Sequence, residues 1–136
     1  MVDATKTARG TNRIVRLCLL FLFVAGVAGC HTAWTGDIRI EPEVEPQPPR
    51  VGRVTITVRV TQSGKPVTGA QIKLEGNMSH AGMAPVFADA REVEAGRYSA
   101  NMELTMAGDW ILSVHVNMPD GTKADQQFDI KGVAPA

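Results

Sequence analysis

Cysteine is nearly absent: the 136 residues contain two, Cys18 and Cys30, both near the start. Beyond them no disulfide can form, so whatever folds there is held by burial alone. Aromatic residues are also few, with two Trp, one Tyr and four Phe. Past residue 50 no segment repeats apolar residues every three to four positions, which argues against a helical fold. A dense basic face is missing as well. Of 14 Lys/Arg, four lie before Cys30, and of 14 Asp/Glu, one does, leaving ten basic and thirteen acidic residues, a net charge near −3. That balance gives no reason to expect a nucleic-acid partner. No serine or cysteine nucleophile is paired with a base. There is no glycine-rich phosphate loop and no zinc-type His/Cys spacing. The carboxylates are scattered over outward-facing positions and read as solvated charge. An enzyme is not expected.

No apolar run is long enough to cross a bilayer. The longest, Leu17 to Gly29, has 13 residues. It would span about 20 Å as a helix, against a hydrocarbon core of about 30 Å. What it does have is a basic flank of Lys6, Arg9, Arg13 and Arg16, and an end in Val27-Ala28-Gly29-Cys30. A charged n-region, a short apolar h-region and small residues before a cut site make a secretory signal. Small residues leading straight into cysteine resemble the lipobox of bacterial lipoproteins. The resemblance implies cleavage of residues 1–29, lipidation of Cys30 with diacylglycerol and usually a further acyl chain such as palmitate, and attachment to a membrane outside the cytoplasm. Two or more acyl chains give stable anchoring where one does not. An ordinary secretory signal that happens to end at a cysteine is the competing reading.

Residues 30–50 read as a tether behind the lipidated cysteine. Four of the eight prolines fall here, Pro42, Pro46, Pro48 and Pro49, with Glu41, Glu43 and Glu45 among them. Proline removes a ladder donor and the glutamates repel one another, so an extended spacer reaching about 60 Å is expected. Trp34 reads equally as an anchor at the membrane interface or as a stray aromatic.

From Val51 the pattern changes to period two, and a folded domain over 51–133 is expected. Val54, Ile56, Val58 and Val60 alternate with Arg53, Thr55, Thr57 and Arg59, which reads as a half-buried strand. A turn over 62–66 leads to a second strand with Ala70, Ile72 and Leu74 inward. A loop is expected over Gly76 to Ala84, then a weaker strand over Val86 to Glu94. Tyr98, Ala100, Met102 and Leu104 mark a fourth strand. Trp110, Leu112, Val114 and Val116 mark a fifth, and Pro119-Asp120-Gly121 turns into a last one through Ile130. The fold class is all-β: an immunoglobulin-like antiparallel β-sandwich of about six or seven strands, with Trp110 and Tyr98 between the sheets.

The distinctive cluster is Met78, His80 and Met83, three soft or borderline ligands within six residues. Thioether and imidazole suit Cu(I), and thioethers form no disulfides in an oxidising compartment. Gly82 would let the loop curl so that the three converge. If successive strands alternate in direction, the 76–84 loop and the 105–108 turn share one end of the sandwich, which adds Met106 and puts Met118 at the other end. Met102 reads as core and His115 as a surface residue. Met83 plugging the core and His80 as a solvated loop residue remain the bland alternatives.

Several segments together resemble the YtkA-like domain, a bacterial extracytoplasmic module related in pattern to FixH proteins. They are Gly69-Ala70, Met78-Ser79-His80-Ala81-Gly82-Met83-Ala84-Pro85, Gly96-Arg97-Tyr98-Ser99-Ala100 and Met106-Ala107-Gly108-Asp109-Trp110. The resemblance covers residues 52–131. It implies an immunoglobulin-type sandwich and, since relatives occur near copper handling, oxidase assembly and metal efflux, adds support to Cu(I) for the set read from the residues: Met78, His80, Met83 and, through strand parity, Met106. The expectation is an envelope lipoprotein, facing the periplasm or exterior, that binds or delivers copper. A metal-free scaffold that docks to an envelope protein is the alternative.

Overall fold

The structure, a computed structural model, describes residues 37–80 and 82–136. The expected signal peptide, Cys30 and Trp34 lie outside the described residues. Eight strands make up the fold: β1 (Ile38–Glu45), β2 (Gly52–Gln62), β3 (Lys65–Pro66), β4 (Gln71–Met78), β5 (Val86–Glu94), β6 (Arg97–Leu104), β7 (Gly108–Asn117) and β8 (Lys123–Val133). Their hydrogen-bonded order is β1-β2-β6-β5-β4-β7-β8, with the short β3 paired to the end of β2. Every strand-to-strand ladder is antiparallel.

This order is that of an immunoglobulin-type sandwich, β1-β2-β6-β5 on one side and β4-β7-β8 on the other. Strand β5 belongs to both. Its first half pairs with β4 from Val86 to Ala90, and its second half pairs with β6 from Arg91 to Glu94. The changeover explains its weak sequence signal. Val86, Ala88 and Ala90 are only half-buried, while Phe87 and Val93 face water.

The period-two pattern is what fixes the core. Val54, Ile56, Val58 and Val60 of β2 all point inward and are buried. They meet Tyr98, Ala100, Met102 and Leu104 of β6, Ile72 and Leu74 of β4, and Trp110, Leu112, Val114 and Val116 of β7. Full burial of a Val, Leu or Ile contributes about 1.5–3 kcal/mol relative to exposure. Trp110 and Tyr98 are the two largest fully buried side chains, each 1 % exposed, as the sequence predicts.

Two segments differ from expectation. The first is the tether. Residues 38–45, expected as spacer, form β1 and pair along their whole length with β2, from Ile38↔Gln62 to Glu45↔Thr55. Ile40 and Val44 are buried and Ile38 packs against the core, while Arg39, Glu41 and Glu43 face out. Pro42 is tolerated because β1 is an edge strand, where a missing N–H need not break a ladder. Residues 49–51 then join the C-terminus. Val51 N–H donates to the Ala134 carbonyl at 2.8 Å and Ala134 N–H to that of Pro49 at 3.0 Å. The folded domain therefore begins well before residue 51.

The second is Gly76, expected to open a loop. It lies inside β4, opposite Leu112. A side chain there would come within 2.9 Å of the Met102 sulfur and 3.5 Å of the Trp110 ring. Glycine here is a gap that the two core residues fill, and the strand runs on to Met78.

The register sorts the connections into two ends. The start of β1, the β2–β3 turn, the β5–β6 turn and the β7–β8 turn share one end. The β4–β5 loop, the β6–β7 turn and the C-terminus share the other.

Candidate functional site

The site is built at the end that carries the β4–β5 loop. Met78 is the last residue of β4 and stands cross-strand from Trp110. It is half-buried, packs on the core and lays its terminal methyl beside Gly108, where a β-carbon would lie 3.2 Å away. Beyond it the chain turns out to solvent. Ser79 N–H donates to the Asp109 carbonyl at 3.1 Å, which pins the root of the loop to the start of β7. His80 is exposed. Gly82 adopts φ +97°, a left-handed value that turns the loop back toward β5. Met83, on the returning limb, is 41 % exposed.

The β6–β7 turn supplies the neighbouring wall. Met106 is 46 % exposed. Its carbonyl accepts the Trp110 indole N–H at 3.0 Å. Trp110 thus touches both parts: its backbone pairs with Met78 and its ring nitrogen holds the Met106 backbone. The expected shared end for loop and turn is the one observed. Met118 lies at the opposite end, buried, and Met102 is core at 2 % exposure.

Asp109 carries a role that the sequence alone does not indicate. It sits where the β7–β8 register shifts between Gly108 and Trp110. Bulges of this kind commonly re-aim side chains beside sites. Its carboxylate accepts the Gly132 N–H at 2.9 Å and faces Lys131 Nζ at 3.6 Å. The Gly132 N–H holds the Asp109 carboxyl below its ordinary value of 3.8, against slight desolvation, with smaller pulls from Lys131 and the nearby His80. The Gly108-Asp109 step before an apolar strand was the available signal. Its meaning depends on partners 23 residues away.

Among the described residues no group of three or more His, Cys, Asp or Glu is placed to hold a metal ion. A cation at this end would rely on thioether sulfur. His115, expected at the surface, lies on the outer face of β7 between two carboxylates, 2.7 Å from Asp125 and 3.5 Å from Glu75.

A family model described as YtkA-like matches residues 32–115, more than half of the chain. This chain belongs to the YtkA-like family. The match starts ahead of β1, in accord with a YtkA-like domain that includes that strand. Among solved structures, the domain is similar to a DUF4426 family protein from Pseudomonas aeruginosa PAO1. They are 17 % identical with a TM-score of 0.58, covering 74 % of this chain and 94 % of that one. That likeness shows the fold alone. The PmoD soluble domain from Methylocystis sp. ATCC 49242 (Rockwell) is 15 % identical with a TM-score of 0.44, covering 69 % and 89 %. Murine CRIg is 13 % identical with a TM-score of 0.40, covering 71 % and 98 %. Neither of these two carries more than a loose resemblance. No curated protein matches the chain.

Proposed function

We propose that this YtkA-like protein is a lipid-anchored lipoprotein of the bacterial envelope, acylated at Cys30, whose loop end binds Cu(I) and hands it on. The observation that carries the reading is the Ser79–Asp109 bond together with the Met78–Trp110 pairing. They fix the root of the loop that bears Met78, His80 and Met83 beside the start of β7, which follows the turn bearing Met106. Exposed Met83 and Met106, half-buried Met78 and exposed His80 would supply the soft donors at this end. Among the described residues, no group of three or more His, Cys, Asp or Glu is placed to hold a metal ion there. Thioether and imidazole donors select Cu(I) over Mg²⁺ or Ca²⁺.

The mechanism is ligand exchange. A thioether-bound ion with an open position accepts a ligand from a partner, and the Met contacts leave one at a time. No bond other than metal–ligand bonds changes, so no catalysis is involved. Imidazole coordinates through an unprotonated ring nitrogen and thioethers carry no proton, so His80 would have to be neutral to hold the ion.

A metal-free docking module is the second reading. It is favoured by exposed apolar side chains at the same end, Met83, Met106 and, at the start of β5, Phe87, which is 54 % exposed. A Cu(I) competition titration on the mature protein separates the two. Replacing Met78 and Met83 together with Leu preserves apolar surface and removes sulfur. Affinity falls by about tenfold or more, equivalent to about 1.4 kcal/mol or more, if sulfur binds the ion. Unchanged affinity assigns the loop to docking.

A further inference from the structure

The described domain starts at one end and carries its Met/His loop at the other, and few residues separate its start from Cys30 in the sequence. Strand β1 begins at Ile38, and the Asp37 carbonyl accepts the Ser63 N–H at 3.0 Å, at the end that carries the β2–β3 turn. The β4–β5 loop and Met106 are at the other end. Between Cys30 and Asp37 the sequence leaves seven peptide units. Fully extended, seven units reach about 25 Å. The 11 residues of β2 run the length of the body, about 33 Å at strand rise.

A loop end facing the anchoring membrane would require the link to run back along the whole body before reaching the lipid. At about 25 Å against about 33 Å it is too short. Lying flat is not favoured either. The outer faces carry interleaved charge, Arg39, Glu41, Glu43 and Arg59 on one and Lys73, Asp89, Asp125 and Lys131 on the other, all exposed. We infer that the domain presents its Met/His loop away from the membrane that holds it. The partner that exchanges copper there is a protein domain standing in water with its own thioether or imidazole ligands, not a site within the same bilayer. This rests on the proposed anchor at Cys30 and, for the partner's chemistry, on the proposed Cu(I) loop.

The test uses the full-length, processed protein in phosphatidylethanolamine/phosphatidylglycerol vesicles carrying a headgroup-attached quencher. Lys65→Cys and Ala107→Cys each introduce one free thiol at an exposed position, one at each end. Thr68→Cys and Thr105→Cys, also exposed, provide a second pair should either fail to fold. A fluorophore at 65 or 68 is quenched, and one at 107 or 105 is several-fold less so. Equal or stronger quenching at 107 and 105, with the lipid present, overturns the orientation. The mass of the N-terminal fragment from the same sample reports the lipid separately. A fragment without acyl chains defeats the anchor, and the orientation with it.

Discussion

At the scale of single residues, Tyr98 shows how one side chain joins sequence pattern to stability. It is the chain's only tyrosine and is buried at the start of β6. Its hydroxyl donates to the Val67 carbonyl at 2.8 Å and accepts the Ala70 N–H at 3.0 Å. It thereby ties the connection between β3 and β4 to the core. Tyr98→Phe leaves both backbone groups without this partner and is expected to cost about 1–3 kcal/mol in chemical denaturation. Burial, the largest effect, raises the hydroxyl above its ordinary pKa of 10.0, with Glu92 adding to it and the Ala70 N–H opposing it. A raised folded value means the stabilisation is complete below pH 10 and is lost as pH climbs through the folded pKa. The parent should therefore lose stability in alkali, and Tyr98→Phe should lack that drop. Phenolate absorbance reports this residue alone. Titration at the ordinary value would show that the hydroxyl is not held.

Gly76 makes the complementary case. A methyl there meets the Met102 sulfur at 2.9 Å. Gly76→Ala is expected to destabilise by about 1–3 kcal/mol through overpacking against Met102 and Trp110. A melting temperature equal to the parent's would show that this end of the core is loose.

Among the elements, six of the eight strands were legible because apolar residues alternate along them, β5 most weakly, while the two-residue β3 read only as a turn. Val54 to Val60 and Trp110 to Val116 declare strand and inward face together. Strand β1 has the same alternation in Ile38, Ile40 and Val44. The prolines and glutamates beside them outweighed it, since composition favours a spacer. Those residues are also what an unpaired edge carries to resist adding further strands. The composition described the edge of a sheet rather than the absence of one. Gly76 misled for a related reason, since a strand glycine filled by distant side chains looks locally like a loop. The shared end of the β4–β5 loop and the β6–β7 turn was legible from strand parity. Asp109 was not, because its role comes from Gly132 and Ser79, which only the fold brings near.

A chain beginning at residue 50 lacks β1 and leaves Val58 and Val60 open along the β2 edge. It is expected to be aggregated or largely unfolded, whereas one beginning at residue 33 is monomeric with a cooperative thermal transition. Two equally cooperative transitions would mean that β1 is dispensable.

On the scale of the whole molecule, three features act together. They are the proposed lipid anchor at Cys30, a short link, and a sandwich with the proposed Met/His ligands at the far end. Cys30→Ala is expected to accumulate as a full-length precursor, and normal processing of that variant to a membrane-bound form would remove the anchor. The copper claim is tested most directly through the methionine methyl groups. Beyond Met1 the chain holds five methionines, Met78, Met83, Met102, Met106 and Met118. With ¹³C-labelled methyls, each gives one resonance, assigned by Met→Leu substitution. On adding Cu(I) under reducing conditions, the Met78, Met83 and Met106 signals are expected to shift together and saturate at one equivalent. Met118, at the opposite end, should stay fixed. No shift, or a shift spread evenly to Met118, would contradict a copper site at the loop end.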